Sequence, residues 1–323
     1  MRARDLLPIA LAIGALALVP LAVSANTVLN FLVFTLVIGL AAQGWNLLAG
    51  YGGQFSFGHA AFFGTGAYAI AILQARFGVN AWAGFAIAIA AGALVGWIIG
   101  YLSFRSGLRG SYFALVTLAF AEVLRILANA SAVTGGAAGL LVRLDVRPEN
   151  FQFASRAAFF WIALALVGLV LVLTRAIERS RFGAQLVAVR ENESAAKALG
   201  IDTLRVKLKA ITLSAAITAA AGAFYTQYFL YIDATIAYGT WISVEALLAP
   251  IVGGLGTAFG PLVGALALHG LGELTKGVAG SVPGIDLVVF GALLIVTVAF
   301  APDGILGLLR RLLGKARRQR AEA

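Results

Sequence analysis

The sequence contains no cysteine, only two histidines and one methionine, and just 12% charged residues. Without cysteine there is no disulfide, no thiolate metal site and no sulfur nucleophile. His59 and His269 are both expected to pack or hydrogen-bond, and no metal site is predicted. The shortage of charge excludes more, because a soluble domain carries about 25% charged residues. The longest stretches outside apolar runs are residues 129–156 and 175–209, too short for a soluble domain. A G-x-x-x-x-G-K phosphate loop is missing, so the chain is expected to hydrolyse no ATP and to need no cofactor of its own. H-E-x-x-H and G-x-S-x-G are missing too, which argues against an enzyme.

What the chain has is apolar length. It is 61% hydrophobic with mean hydropathy +0.95. Uncharged runs at 77–104 and 157–174 approach or exceed the roughly 20 residues that span a bilayer. They are too long and too weakly alternating for a β-barrel. The predicted fold class is all-α, a polytopic helical membrane protein with about ten transmembrane passages. These fall at 6–24, 28–49, 59–75, 79–103, 111–128, 157–174, 207–231, 241–255, 257–273 and 286–302. The first follows Arg2 and Arg4 and has the outline of a signal peptide. Its apolar core exceeds the usual 7–15 residues, which favours a retained helix.

The formal charge of +10 is distributed by topology. With the N-terminus in the cytoplasm, inside segments hold eighteen of the twenty-four Lys and Arg. Eight lie in 175–209 and six in 310–320, whereas outside loops hold Arg76, Arg143, Arg147, Arg156 and Lys276. That is the asymmetry of the positive-inside rule, with both termini cytoplasmic. The basic tail is read as an anchor at anionic lipid rather than a nucleic-acid site.

Two glycine-rich breaks interrupt the apolar pattern. One is GYGGQFSFGHAAFFGTG, at 50–66, and the other is GGLG at 253–256. The second splits 241–273 into two short passages, the alternative being one tilted helix. Irregular backbone at membrane depth is tolerated only inside protein or against a cavity, and interrupted spans point to transport paths. The candidate path residues are therefore Gly52, Gly53, Gln54, Ser56, Gly58, His59, Gly253, Gly254 and Gly256. Close helix packing through small residues is the alternative role. Glu245 joins the candidates because intramembrane charge is costly. It would steer an ammonium group or brace a neighbouring helix. Glu122 and Arg125, three apart, are expected to pair on one helix face.

Residues 190–210, RENESAAKALGIDTLRVKLKA, form a charged, helix-favouring insert. Glu193 and Lys197 stand in the favourable i, i+4 order. Glu191 and Glu193 are expected near a helix start, where acids suit the dipole. Gly200 is placed to end the helix. Ala195, Ala196 and Ala198 offer a slim surface for a partner's groove.

These segments carry a resemblance. GYGGQFSFGHAAFFGTGAY (50–68), LRGSYFALVTLAFAEVLR (108–125), TGGAAGL (134–140), SRFGAQLVAVRENESAAKALGIDTLRVK (180–207) and SVEALLAPIVGGLGTAFGPLVGA (243–265) follow one another in family order, and PDGILGL (302–308) resembles the family's ending. The sequence resembles the branched-chain amino-acid ABC permease family of the LivM type along nearly its whole length. The resemblance implies one permease domain over 1–323, with a cytoplasmic coupling segment at 178–206. Its E-x-A-A-x-x-x-G run, with Arg190, Glu191, Glu193, Ala195, Ala196 and Gly200, would dock on an ATPase. The extended hydrophobic ending of some importer families is absent, since Leu208 follows Lys207. The implied partners are a second related permease, two cytoplasmic ATPases that use the ATP, and a periplasmic binding protein. The implied location is the bacterial inner membrane, and the implied cargo branched-chain amino acids, with urea or short amides in related families. An ion-coupled secondary transporter is the rival, although its ionisable residues, chiefly Glu122 and Glu245, lie near boundaries.

Overall fold

The computed structural model describes residues 3–23, 25–279, 285–300 and 303–311. A helix lies on each predicted passage. They are α1 (Ala3–Ala17) with α2 (Val19–Ala22), α3 (Asn26–Asn46), α4 (His59–Phe77), α5 (Ala81–Arg105), α6 (Gly110–Ala130) and α7 (Arg156–Glu178). The short α8 (Arg181–Glu191) and α9 (Glu193–Ala198) precede α10 (Thr203–Phe229). A single turn, α11 (Ala234–Ala237), leads to α12 (Thr240–Gly253), α13 (Gly260–Ala279) and α14 (Ile285–Phe300). Residues 304–311 are helical as well. Six stretches of helix are long and apolar enough to cross a membrane: 26–51, 81–105, 110–130, 156–178, 203–229 and 234–253. The chain is thus an all-α, multi-pass membrane protein. The basic tail beyond 311, with Arg2, lies outside the described residues.

Sequence explains where α10 sits. The helix is rich in Ala and Thr, and most of its length is buried. Gly92, Gly96 and Gly100 of α5 recur every fourth residue, so they share one face. A Cβ at Gly92 would stand 2.2 Å from the Ala219 side chain, and one at Gly96 only 2.3 Å from that of Ala215. Small residues on both helices let the backbones approach, and dispersion holds them where lipid offers no hydrophobic drive. The outer faces of α5 and α6 instead expose Leu94, Trp97, Ile98, Leu115, Val123 and Ile126. Polar outside faces would exclude them from hydrocarbon; these faces suit it.

The α12–α13 region is a helical hairpin. Gly253 packs on the Gly260 carbonyl and Gly264 on that of Ala249, a pairing that runs antiparallel. Of the two alternatives for 241–273, the broken one is therefore found.

The bundle has two distinct ends. One gathers the C-terminal ends of α3, α7 and α12 with α8 and α9, through contacts such as the Tyr51 hydroxyl donating to Glu178 at 2.5 Å. At the opposite end, Asn80 caps α5 and donates to the Glu149 carbonyl at 2.9 Å. Trp82 stacks on Phe151 at 4.1 Å there. A two-residue strand β1 (Leu140–Leu141) pairs antiparallel with β2 (Tyr231–Ile232) across that end. Neither strand has a sequence signal long enough to predict.

Candidate functional site

The first glycine break begins as a π-helical turn, Leu47–Tyr51, that ends α3. Buried polar bonds from four directions fix it. Trp45 Nε1 donates to the Ser56 carbonyl at 2.7 Å, and Ala60 N donates to Ser243 Oγ on α12 at 2.9 Å. Phe57 N donates to Thr117 Oγ1 on α6 at 3.1 Å, where Gly58 lies so close that a Cβ would fall 1.9 Å from the Thr117 carbonyl. His59 is fully buried between Ser56 Oγ (3.2 Å) and Ser214 Oγ (2.8 Å). Ser214 already donates to the Gly44 carbonyl at 2.6 Å. Its oxygen must therefore accept from His59 Nε2–H, which leaves Nδ1 to accept from Ser56. His59 is the hydrogen-bonding residue expected. Gln54 turns back on its own loop and donates to the Gly52 carbonyl at 3.1 Å.

The two breaks, some two hundred residues apart, meet. The Asn46 side-chain amide accepts from Gly256 N at 2.9 Å and donates to the Thr257 carbonyl at 3.0 Å. A Cβ on Gly50 would stand 2.7 Å from Gly256 N. Gly254 (φ +136°) and Gly256 (φ +68°) adopt backbone that other residues resist. Gly304, from the closing 302–308 motif, packs on the Gly254 backbone.

Arg190 joins residues 178–206, the predicted coupling segment, to this junction. Its Nη1 donates to the Gly50 carbonyl at 2.9 Å. Its Nε and Nη2 donate to Glu191 Oε1 at 3.1 and 2.7 Å. Gly53 (φ +67°) rests directly on it, since a Cβ there would fall 2.7 Å from Arg190 Cγ. Thus 50–58, 253–257 and Arg190 form one contiguous cluster.

The coupling segment departs from expectation in three ways. It is two helices, not one, because Asn192 adopts an extended conformation and caps α9 by accepting from Ala195 N at 3.0 Å. Glu191 therefore ends α8 rather than starting a helix. Ser180 and Asp202 cap α8 and α10 in the same manner, so three short polar residues set the boundaries. Second, Glu193 points inward. Its carboxylate accepts from Lys207 Nζ at 3.0 Å and from Thr203 Oγ1 at 3.1 Å, with Lys197 Nζ and Arg109 Nε each at 3.4 Å. The Lys207 side chain is 5% exposed and that of Glu193 13%. Burial pushes the Glu193 carboxyl up, but the hydrogen bond and charge of Lys207, with Arg109 and Thr203, outweigh it and hold the carboxyl below the usual range. Third, Ala196 is buried, so the outward residues are Ser194, Ala195, Lys197, Ala198 and Leu199. Leu199, which no sequence pattern singled out, is 82% exposed. Gly200 takes the left-handed conformation (φ +82°) just past the helix, as its position predicts.

Glu245 does not join the cluster. It lies on α12 eight residues before Gly253, about 12 Å along the axis. There His269 Nε2 approaches Glu245 Oε2 to 3.6 Å, a partnership that sequence spacing hid. Glu122 and Arg125 form the expected pair, with bonds of 2.9 and 2.6 Å. Among the described residues, no group of three His, Asp or Glu is placed to hold a metal.

The family described as branched-chain amino acid transport system / permease component matches residues 27–298. The chain is 29% identical to the high-affinity branched-chain amino acid transport system permease protein LivM of Escherichia coli K12, over 90% of this chain and 72% of that one. It is 30% identical to LivH of the same strain, over 83% of this chain and 90% of that one. The probable LivM of Methanocaldococcus jannaschii is 25% identical over 68% of this chain and 67% of its own. No solved structure matches. Covering both glycine breaks and residues 178–206 together, the match shows that this chain belongs to the branched-chain amino acid transport permease family.

Proposed function

We propose that this chain is one permease subunit of an ATP-driven importer in the bacterial inner membrane, carrying branched-chain amino acids delivered by a periplasmic binding protein. Its partners are a second, related permease and two cytoplasmic ATPases, and the nucleotide is used by those ATPases. The end bearing α8 and α9 faces the cytoplasm, and 178–206 receives the ATPase. One observation supports this above the rest: Arg190, in the coupling segment, is bonded to Gly50 at the point where the two broken helices meet. A push on α8 would reach α3, α4 and the α12–α13 hairpin through a few short contacts. Glu193 ties the same segment to α10 through Lys207 and to the start of α6 through Arg109. The glycine breaks lie on the route that these helices open and close.

Uptake by vesicles containing the assembled complex, with and without internal ATP and with ion gradients collapsed, tests the proposal. Leucine uptake should require internal ATP. Undiminished uptake without ATP would replace it with the ion-coupled mechanism.

A further inference from the structure

At the end of the bundle opposite the coupling segment lies a cavity of about 870 Å³, between α3, α10, α12 and α13. It is too far from the glycine cluster to be explained by it. Its walls are aromatic. Trp241 stacks on Phe34 at 6.3 Å, and Phe229 meets the same ring edge-on at 6.5 Å. Deeper in, Phe34 is met edge-on by His269 at 5.1 Å, and Glu245 stands behind His269 at 3.6 Å. The Glu245 side chain is 15% exposed and that of His269 11%, whereas the rim residues Thr27 and Leu274 are exposed. No lysine or arginine is among the described lining residues.

Aromatic faces and a sheltered carboxylate attract the same ligand group. Ring quadrupoles favour a cation over their faces, and a carboxylate in a low-dielectric wall holds a cation more strongly than one in water. The same walls bury aliphatic surface. Among the described lining residues an anion meets no lysine or arginine, and a neutral amide can lend Glu245 an N–H but not the full charge that an ammonium brings.

We propose, resting on the transport assignment above, that this cavity is an outer station for a primary ammonium bearing a bulky apolar chain. Glu245 receives the ammonium, Phe34 and Trp241 receive the chain, and the α-carboxylate of an amino acid stays in water at the mouth. The station selects amino acids over urea and short amides by charge. Glu245 is then a specificity residue of the permease itself.

The absence of cysteine supplies the test. Thr27→Cys places one thiol at the rim, and the purified full complex, without binding protein, is titrated with a maleimide. Leucine and 3-methylbutylamine should each slow labelling, whereas 4-methylpentanoate and 4-methylpentanamide should not. Adding Glu245→Gln should weaken protection by the amine about tenfold, the scale of one lost charged contact, and Glu245→Asp should retain most of it. Equal protection by the amide and the amine would overturn the proposal, as would unchanged protection in Glu245→Gln, or protection by none of the four. Should Glu245→Gln fail to assemble, the comparison of the four probes on Thr27→Cys decides alone. Leucine uptake by the Thr27→Cys complex is measured separately. Uptake without probe protection sinks the station and spares the transport assignment; selective protection by the amine without uptake does the reverse.

Discussion

At the scale of single residues, Glu193 changes role between sequence and structure. A glutamate in a charged surface segment is expected to face a partner, and its (i, i+4) spacing to Lys197 is visible in sequence. Its stronger partner, Lys207, lies fourteen residues on and across a helix boundary, so no local pattern points to it. Removing one member of a buried ion pair costs about 3 kcal/mol or more because the other stays charged without compensation. Glu193→Gln should therefore loosen α9 from the bundle, read as faster proteolysis of 192–202 and reduced ATPase co-purification. Glu193→Gln combined with Lys207→Met should restore both; no recovery would show that the glutamate acts at the partner instead. The pH dependence has a definite sign. The folded carboxyl sits below its ordinary value of 4.5, so its stabilisation is complete above that value and fades as pH falls through the folded one. Amide protection of α9, corrected for intrinsic exchange, should thus hold level from about pH 8 to about pH 5.

At the scale of elements, the apolar helices were legible and the joints between them less so. A bilayer forces each crossing segment to satisfy its own backbone, so long apolar runs such as 81–105 leave little choice. The break at Asn192 was masked by helix-favouring neighbours, though an Asn followed by Glu-Ser-Ala is the capping signal that marks it. The α10 start at Thr203 was masked too, since its charges suggested an aqueous segment; Asp202 was the clue. The meeting of Gly50 with Gly256 is tertiary and left no trace in spacing. Just past α9 stands Leu199, and a large apolar side chain left this bare suits a groove on a partner. Leu199→Glu should leave insertion intact and weaken ATPase binding by about 2 kcal/mol, or about thirtyfold. Titration of the purified ATPase onto the reconstituted permease measures this, and an unchanged affinity would remove Leu199 from the docking surface.

At the scale of the whole molecule, the charge asymmetry and the fold give consistent ends. Arg105, Arg109, Arg175 and Arg190 fall at the end with α8 and α9, while Arg76, Arg147 and Arg156 fall at the other. In intact cells, Ser180→Cys should resist a membrane-impermeant maleimide and Glu149→Cys should react. Gln319→Cys, in the tail outside the described residues, should behave as Ser180→Cys does. Labelling of Ser180→Cys from outside would invert the topology and with it the docking side. The clamp that Asn46 makes on the hairpin turn also has a kinematic meaning. One planar amide, bonded to both Gly256 and Thr257, is a two-pin joint: it resists twisting as well as separation. The turn and the end of α3 therefore travel as a single link. Arg190, which reaches Gly50 by one hydrogen bond and packs against Gly53, is a one-pin joint that passes a push or a pull to that link.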